Sequence, residues 1–347
     1  MIGQGSQTLA GPARRNRAQG FRSISFLGLL AVLALLVALS VTVGTRDVSW
    51  ADIVAGVRGQ TDNIGQAAVN VRIPRTFLAL LAGAALALAG AVMQGVTRNP
   101  LSDPGILGVN AGAALAVVIG VAWFDMSSSE GFLWSAIFGA GCATLFVYKV
   151  GSLGPGGATP LKLTLAGAAT SVACASLIIA VVLPRNDIAG GIQLWTVGGV
   201  GGATFDRIVP VLPFLAAGFA ISLLSARKLN SLALGDDLAA GLGENVAMAR
   251  IVASVGGVLL CGATTAMCGP IGFVGLVVPH LCRLLIGLDY RWLLPFSVLA
   301  GSCLVLTGDI VGRIVARPAE IQVSIIMALL GSPIFIWIVR RQRIREL

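Results

Sequence analysis

Charge is scarce in this chain. Only 11% of its 347 residues are Asp, Glu, Lys or Arg, with 15 acids against 24 bases. A soluble protein of this length could not cover its surface with so few charges. Histidine occurs once, which argues against a histidine-based metal site. The six cysteines (Cys142, Cys174, Cys261, Cys268, Cys282 and Cys303) lie mostly inside apolar runs without the pairwise spacing of a zinc site. They read as small packing residues. No GxxxxGK[ST] phosphate loop is present, so the chain does not hydrolyse ATP alone. Acids are almost missing from the centres of the apolar runs, where proton- and sodium-coupled carriers keep ionisable groups. Asp309 is the one candidate, and Arg313, one helical turn along, offers it an ion pair.

What is present is apolar and small. Hydrophobic residues make up 56% of the chain, mean hydropathy is +0.91, and there are 45 glycines. Such a composition suits helices that pack closely in lipid. The net charge of +9 sits at the two termini and in short loops, which favours membrane orientation over a nucleic-acid surface.

About 20 apolar residues cross a hydrocarbon core. Uncharged stretches of that length lie between Arg75 and Arg98, Asp103 and Asp125, Glu130 and Lys149, Lys162 and Arg185, Arg207 and Arg227, Arg291 and Asp309, and Glu320 and Arg340. Ile24–Val43 reads as a first span behind a polar, basic tail of residues 1–23, and is too long for a signal-peptide core. The stretch Arg250–His280 is too long for one span. Gly269-Pro270 divides it into one helix and the start of another that runs to about Gly287. The expectation is an all-α membrane protein of about ten helices, with one transmembrane domain over 24–340 and a short tail, 341–347.

Arg14, Arg15, Arg17 and Arg22 precede the first span, and Arg340, Arg341, Arg343 and Arg345 follow the last. Both ends are therefore expected in the cytoplasm, which an even number of spans allows. Arg72, Arg75, Arg313 and Arg317 then fall on the outer side, against the rule. Pro74 suits the first turn of the second span. These arginines read either as snorkelling side chains or as a docking ring for an acidic partner.

Three connecting segments carry further information. Residues 188–205 contain Gly190, Gly191, Gly198, Gly199, Gly201 and Gly202, too many for a regular helix. A short or re-entrant helix near a pathway mouth and a plain external loop are both open readings. Segment 227–250 is the longest polar stretch between spans. Gly235-Asp236-Asp237 can start a short helix with acids at its positive end, and Gly241-Leu242-Gly243 can stop it. It is either a connector on the membrane or a rigid knob for a groove in a partner. In Asn99-Pro100-Leu101-Ser102-Asp103-Pro104, Asp103 can cap the next helix and Pro104 can take its first position.

The wording of several segments, in series over roughly residues 45–340, resembles the FecCD family of ABC importer permeases. The matching motifs are RIPRTFLALLAGAALALAGAVMQG, RNPLSDPGILGVNAGA, GPIGFVGLVVPHLCRLLIGLDYRWLLP, GDIVGR at 308–313 and LLGSPIFIW at 329–337. The resemblance implies a type II importer permease fold in a bacterial cytoplasmic membrane, surrounded by lipid. It also implies a second permease subunit, identical or not, two cytoplasmic ATPase subunits that carry the ATP and Mg, and an extracytoplasmic substrate-binding protein. The chain itself would bind no cofactor and catalyse nothing. Ferric siderophores are the expected cargo, with cobalamin or haem as alternatives. A secondary transporter without an ATPase is a further alternative, and His280, the sole histidine, offers little to a membrane-embedded enzyme.

Carried over position by position, the resemblance makes Arg72, Arg75 and Arg313 the docking arginines for the binding protein. Segment 229–245 becomes the coupling helices on the ATPases, with Leu234, Gly235, Asp236, Asp237, Leu238, Ala240, Leu242 and Gly243 in contact. Spans 163–184 and 321–339 would line the pathway, and Gly198, Gly199, Gly201 and Gly202 are gate candidates. The chain departs from the family where Gln322 and Ser324 stand in place of the usual Pro and Gly, so the bend entering the last span is expected to differ. Ala240 also replaces a basic residue, and Glu244-Asn245 replace a more apolar pair.

Overall fold

The computed structural model describes residues 12–100, 102–105, 108–154 and 160–343. Residues 1–11 of the basic tail, Leu101 of the turn and Arg345 of the final cluster lie outside these. Every regular element among the described residues is helical. In chain order they are α1 (Pro12–Thr42), α2 (Trp50–Val57), α3 (Ile64–Thr97), α4 (Val109–Phe124), α5 (Ser129–Gly151), α6 (Pro160–Val182), α7 (Asn186–Val197), α8 (Phe205–Ile208), α9 (Leu212–Leu224), α10 (Ala226–Ala233), α11 (Asp236–Gly241), α12 (Val246–Cys268), α13 (Val274–Ile286), α14 (Tyr290–Val315) and α15 (Val323–Arg343). A short 3-10 turn, Val209–Val211, joins α8 to α9. Seven helical stretches are long and apolar enough to cross a membrane, and three shorter apolar helices, α4, α13 and the apolar part of α15, accompany them. Length and composition thus match the expected ten spans, with α12 and α13 separated at Gly269-Pro270.

The centre of the bundle is α3, which packs along α14, α12 and α13. Its middle is almost wholly buried, from Leu78 to Gly95, because small residues let neighbouring backbones approach. A Cβ added to Gly83 would strike the backbone of Gly301 on α14, and one added to Gly90 would strike Gly275 on α13. By contrast α1 and α6 are mostly exposed along their apolar lengths. Leu161, Leu165, Val172, Leu177 and Ile179 of α6 face outward, a surface suited to lipid or another subunit.

Helix ends differ from the sequence reading in four places. Helix α1 begins at Pro12, so part of the basic tail continues the first span. Helix α3 begins at Ile64, capped by the Asn63 side chain, which accepts from the Gln66 amide. Pro74 is therefore inside the helix and not in its first turn, and Arg72 and Arg75 lie within the span rather than before it. Helix α14 likewise runs to Val315 and carries Arg313 within it. Asp103 does not cap α4. That helix starts at Val109 behind Gly108, whose φ of 76° supplies the turn, while Asp103 accepts from the Gly105 amide at 3.2 Å. The Pro104-Gly105 turn puts several residues between Asp103 and the helix it was expected to start.

Candidate functional site

One end of the bundle holds an arginine cluster. Asp309 of α14 is 1% exposed and lies between two guanidinium groups. Arg75 donates to it at 2.7 Å and Arg313 at 2.8 Å. Arg75 also reaches Glu320, just before α15, at 2.6 Å. The i,i+4 pairing of Asp309 with Arg313 was legible in the sequence. The reach of Arg75 across 234 positions to Asp309 was not.

The remaining donors in the cluster are aimed at the C-terminus of α1. Arg313 donates to the Ser40 carbonyl at 2.9 Å, to the Val43 carbonyl at 3.1 Å and to Ser40 Oγ at 2.7 Å. Arg72 donates to the carbonyls of Thr42 at 2.8 Å and Arg46 at 2.7 Å. Arg317 donates to the Gly44 carbonyl and pairs with Asp47. The last carbonyls of a helix have no partner within it and form the negative end of its dipole. Arginines at this end of α1 satisfy both needs, which explains why they break the loop-charge pattern. Consequently Arg72 is 6% and Arg313 2% exposed. Their donors are used within the chain.

At the opposite end lies a polar knob. Segment 229–245 takes in most of α10 and all of α11, two short helices joined at Gly235, whose φ is 106°. Leu229, Leu232 and Ala239 are fully buried beneath them. Asp236 pairs with Arg250 at 2.9 Å and with Arg98 at 3.2 Å, fastening α11 to the feet of α12 and α3. Asn230 donates to Asp289 at 2.8 Å and accepts from the Tyr290 amide. With those residues facing inward, Leu234, Leu238 and Leu242 are left outside, 56%, 63% and 69% exposed. Leu238 of α11 and Leu242 at its C-terminal end, four residues apart, make a short apolar ridge on an anchored support, and Leu234 stands at the end of α10 before the Gly235 turn. Asp237 and Ala240 are exposed on the same helix, and Gly243 closes the knob with a φ of 84°.

The Gly-rich segment is helical over α7 and then turns. The Gly199 amide donates to the Cys268 carbonyl at the end of α12, at 2.7 Å. Gly198, with a φ of 81°, packs against the Pro270 carbonyl. Gly201 and Gly202 face open space. Two of the four gate candidates are therefore clamped at the α12–α13 break, and two are free. Among the described residues no group of three or more His, Cys, Asp or Glu could hold a metal ion.

The arginine cluster and the polar knob thus stand at opposite ends of one helical bundle. The model of the FecCD transport family matches residues 32–341. The chain belongs to the FecCD transport family. It is 42% identical over 323 residues to the ferric enterobactin transport system permease protein FepD of Escherichia coli (strain K12), covering 92% of this chain and 96% of that one. It is 37% identical to the probable siderophore transport system permease protein YfiZ of Bacillus subtilis (strain 168), over 90% of this chain and 94% of that one. It is 36% identical to the hemin transport system permease protein HmuU of Yersinia pestis, over 91% and 96%. A solved inward-facing conformation of a metal-chelate type ABC transporter superposes with a TM-score of 0.78 at 29% identity, covering 92% of this chain and 99% of that one. The family model begins within α1 and ends within α15, so it takes in the arginine cluster, the knob and the Gly-rich turn.

Proposed function

We propose that this FecCD-family chain is the permease subunit of an ATP-driven importer of ferric siderophores. The supporting observation is its 42% identity, over nearly the full length of both chains, to a ferric enterobactin permease. In this reading the arginine cluster faces outward and both termini face the cytoplasm. A binding protein loaded with cargo docks on the arginine face. Arg75, beside the 39% exposed Glu320 carboxylate, is the one of the three arginines best placed to meet it. Arg72 and Arg313 serve docking by fixing the shape of that face.

On the inner side the exposed leucines Leu234, Leu238 and Leu242 seat in a groove of a partner ATPase. ATP, Mg and hydrolysis belong to that partner. The salt bridges of Asp236 make the knob move with α3 and α12, so closure of the ATPases is passed into the bundle and switches its two access states. The exposed faces of α6 and α15 meet a second permease subunit and, with it, enclose the pathway. The free glycines Gly201 and Gly202 lie at its outer mouth.

Haem is the second reading of the cargo, favoured by the similarity to a hemin permease. The test is uptake of iron-55 from a defined ferric siderophore and from haem after deletion of this gene, with restoration by the intact gene. Loss of siderophore-iron uptake supports the first reading. Selective loss of haem-iron uptake replaces it with the second.

A further inference from the structure

The last span is preceded by Arg317–Gln322, and this segment touches both the arginine cluster and the Gly-rich turn. Glu320 is bound to Arg75 at 2.6 Å. The Ile321 amide donates to the Gly312 carbonyl of α14 at 3.1 Å. Gln322 lies with its side-chain oxygen against Gly199, and Ser324 Oγ donates to the carbonyls of Val197 and Gly198, the latter at 2.7 Å. Val197 ends α7, so Ser324 supplies a donor to a helix end whose carbonyls lack partners within α7. Elsewhere α7 is held by side-chain packing, with Ile192 buried against Val118 and Val182 and Trp195 beside Phe132. A Cβ added to Gly190, Gly191, Gly201 or Gly202 would meet nothing within 4 Å, so the glycines on either side of the turn leave room for it to move. The turn is thus gripped from two sides, by the Cys268 and Pro270 carbonyls of the α12–α13 break and by Gln322 and Ser324.

We propose that residues 317–324 are a strap that carries changes at the arginine cluster to the Gly-rich turn, with Glu320 and Ser324 as its two positioning residues. At the cluster end, any carboxylate that competes for Arg75 displaces Glu320. Ile321 and Gln322 follow directly in the chain, so the displacement pulls on the residues that grip Gly199 and Gly198. A hydroxyl at position 324 and an amide at position 322 make that grip, which Gly and Pro in the same places would not. The role of the strap in transport rests on the function proposed above, whereas its mechanical coupling does not.

The test is amide hydrogen exchange on the full chain in lipid nanodiscs, without cargo, ATPase or binding protein. Ser324→Ala removes the hydroxyl donor and is expected to speed exchange at residues 197–200 by about five- to tenfold, the effect of losing one net hydrogen bond. Ser324→Thr keeps the donor and is expected to restore protection. Glu320→Gln, which removes a charge remote from the turn, is expected to speed exchange at the same amides by roughly two- to threefold. In the double variant the two effects add to less than their sum. If Glu320→Gln changes exchange only at 309–322 and leaves 197–200 as in the parent, the strap does not transmit and the proposal fails. Unchanged exchange at 197–200 in Ser324→Ala also overturns it. Because neither readout involves transport, failure here leaves the proposed function standing, and siderophore uptake that survives deletion of the gene leaves this result standing.

Discussion

Replacing Asp309 by Asn tests the arginine cluster most directly. The carboxylate is 1% exposed and pairs with two guanidinium groups at 2.7 and 2.8 Å. Removing one partner from a buried ion pair costs ~3–5 kcal/mol, because the remaining charge is left without compensation. Here the remaining charges keep some partners. Arg75 retains Glu320, and Arg313 retains the Ser40 and Val43 carbonyls. The low end is therefore expected, about 3 kcal/mol. At roughly 2 °C per kcal/mol for a chain of this size, the melting temperature falls by about 6 °C. Arg75→Leu leaves Asp309 paired with Arg313 and is expected to cost about half as much. Combining the two substitutions is expected to cost less than their sum, since both remove the same Arg75–Asp309 pair. The assay is thermal unfolding of the purified chain in nanodiscs, followed by helical circular dichroism at neutral pH. A shift under about 1 °C for Asp309→Asn, or strict additivity in the double variant, would refute the reasoning.

Three other outcomes follow from the geometry. Burial pushes the pKa of Asp103, in the connector between α3 and α4, from 3.8 up to about 6, against the Gly105 amide, which lowers it. The folded chain holds that proton more tightly than the unfolded one. The stability it contributes is complete below about pH 4 and is lost as pH rises through about 6. Asp103→Asn should therefore melt above the parent at pH 7.5, by up to about 3 kcal/mol in stability, with the gap closing by pH 4; a gap independent of pH would contradict this. Gly90→Ala drives a methyl into the Gly275 backbone, and should lower stability by at least ~2 kcal/mol, whereas the same change at Gly141, inside α5 and facing open space, should leave stability unchanged or raise it by up to ~1 kcal/mol in the same melt. Leu238→Asp and Leu242→Asp alter only the exposed ridge. They should leave the melting temperature within about 1 °C of the parent while abolishing co-purification of the ATPase; retained ATPase would exclude the ridge as its seat.

The number of spans, the break at Gly269-Pro270 and the short helix starting at Asp236 were set by local chemistry. Hydrocarbon thickness, missing hydrogen-bond donors and backbone freedom all act within a few residues of each other, so the sequence alone determines them. The family was legible for the same reason, since its motifs are contiguous. Helix ends that extend past the apolar run, at Ile64 and at Val315, were not legible. They hold because Arg72, Arg75 and Arg313 find partners on other helices, and no local pattern reports those partners. Only the tertiary structure brought the carbonyls at the end of α1 to Arg72 and Arg313, set Asp309 between two arginines from different spans, and placed Ser324 against the end of α7. In a bilayer an unpaired charge or carbonyl is costly, so these long-range partners decide where each arginine sits. The sequence determined that the arginines stand at one end of the bundle. The packed bundle decided that two of the three would be buried at its rim.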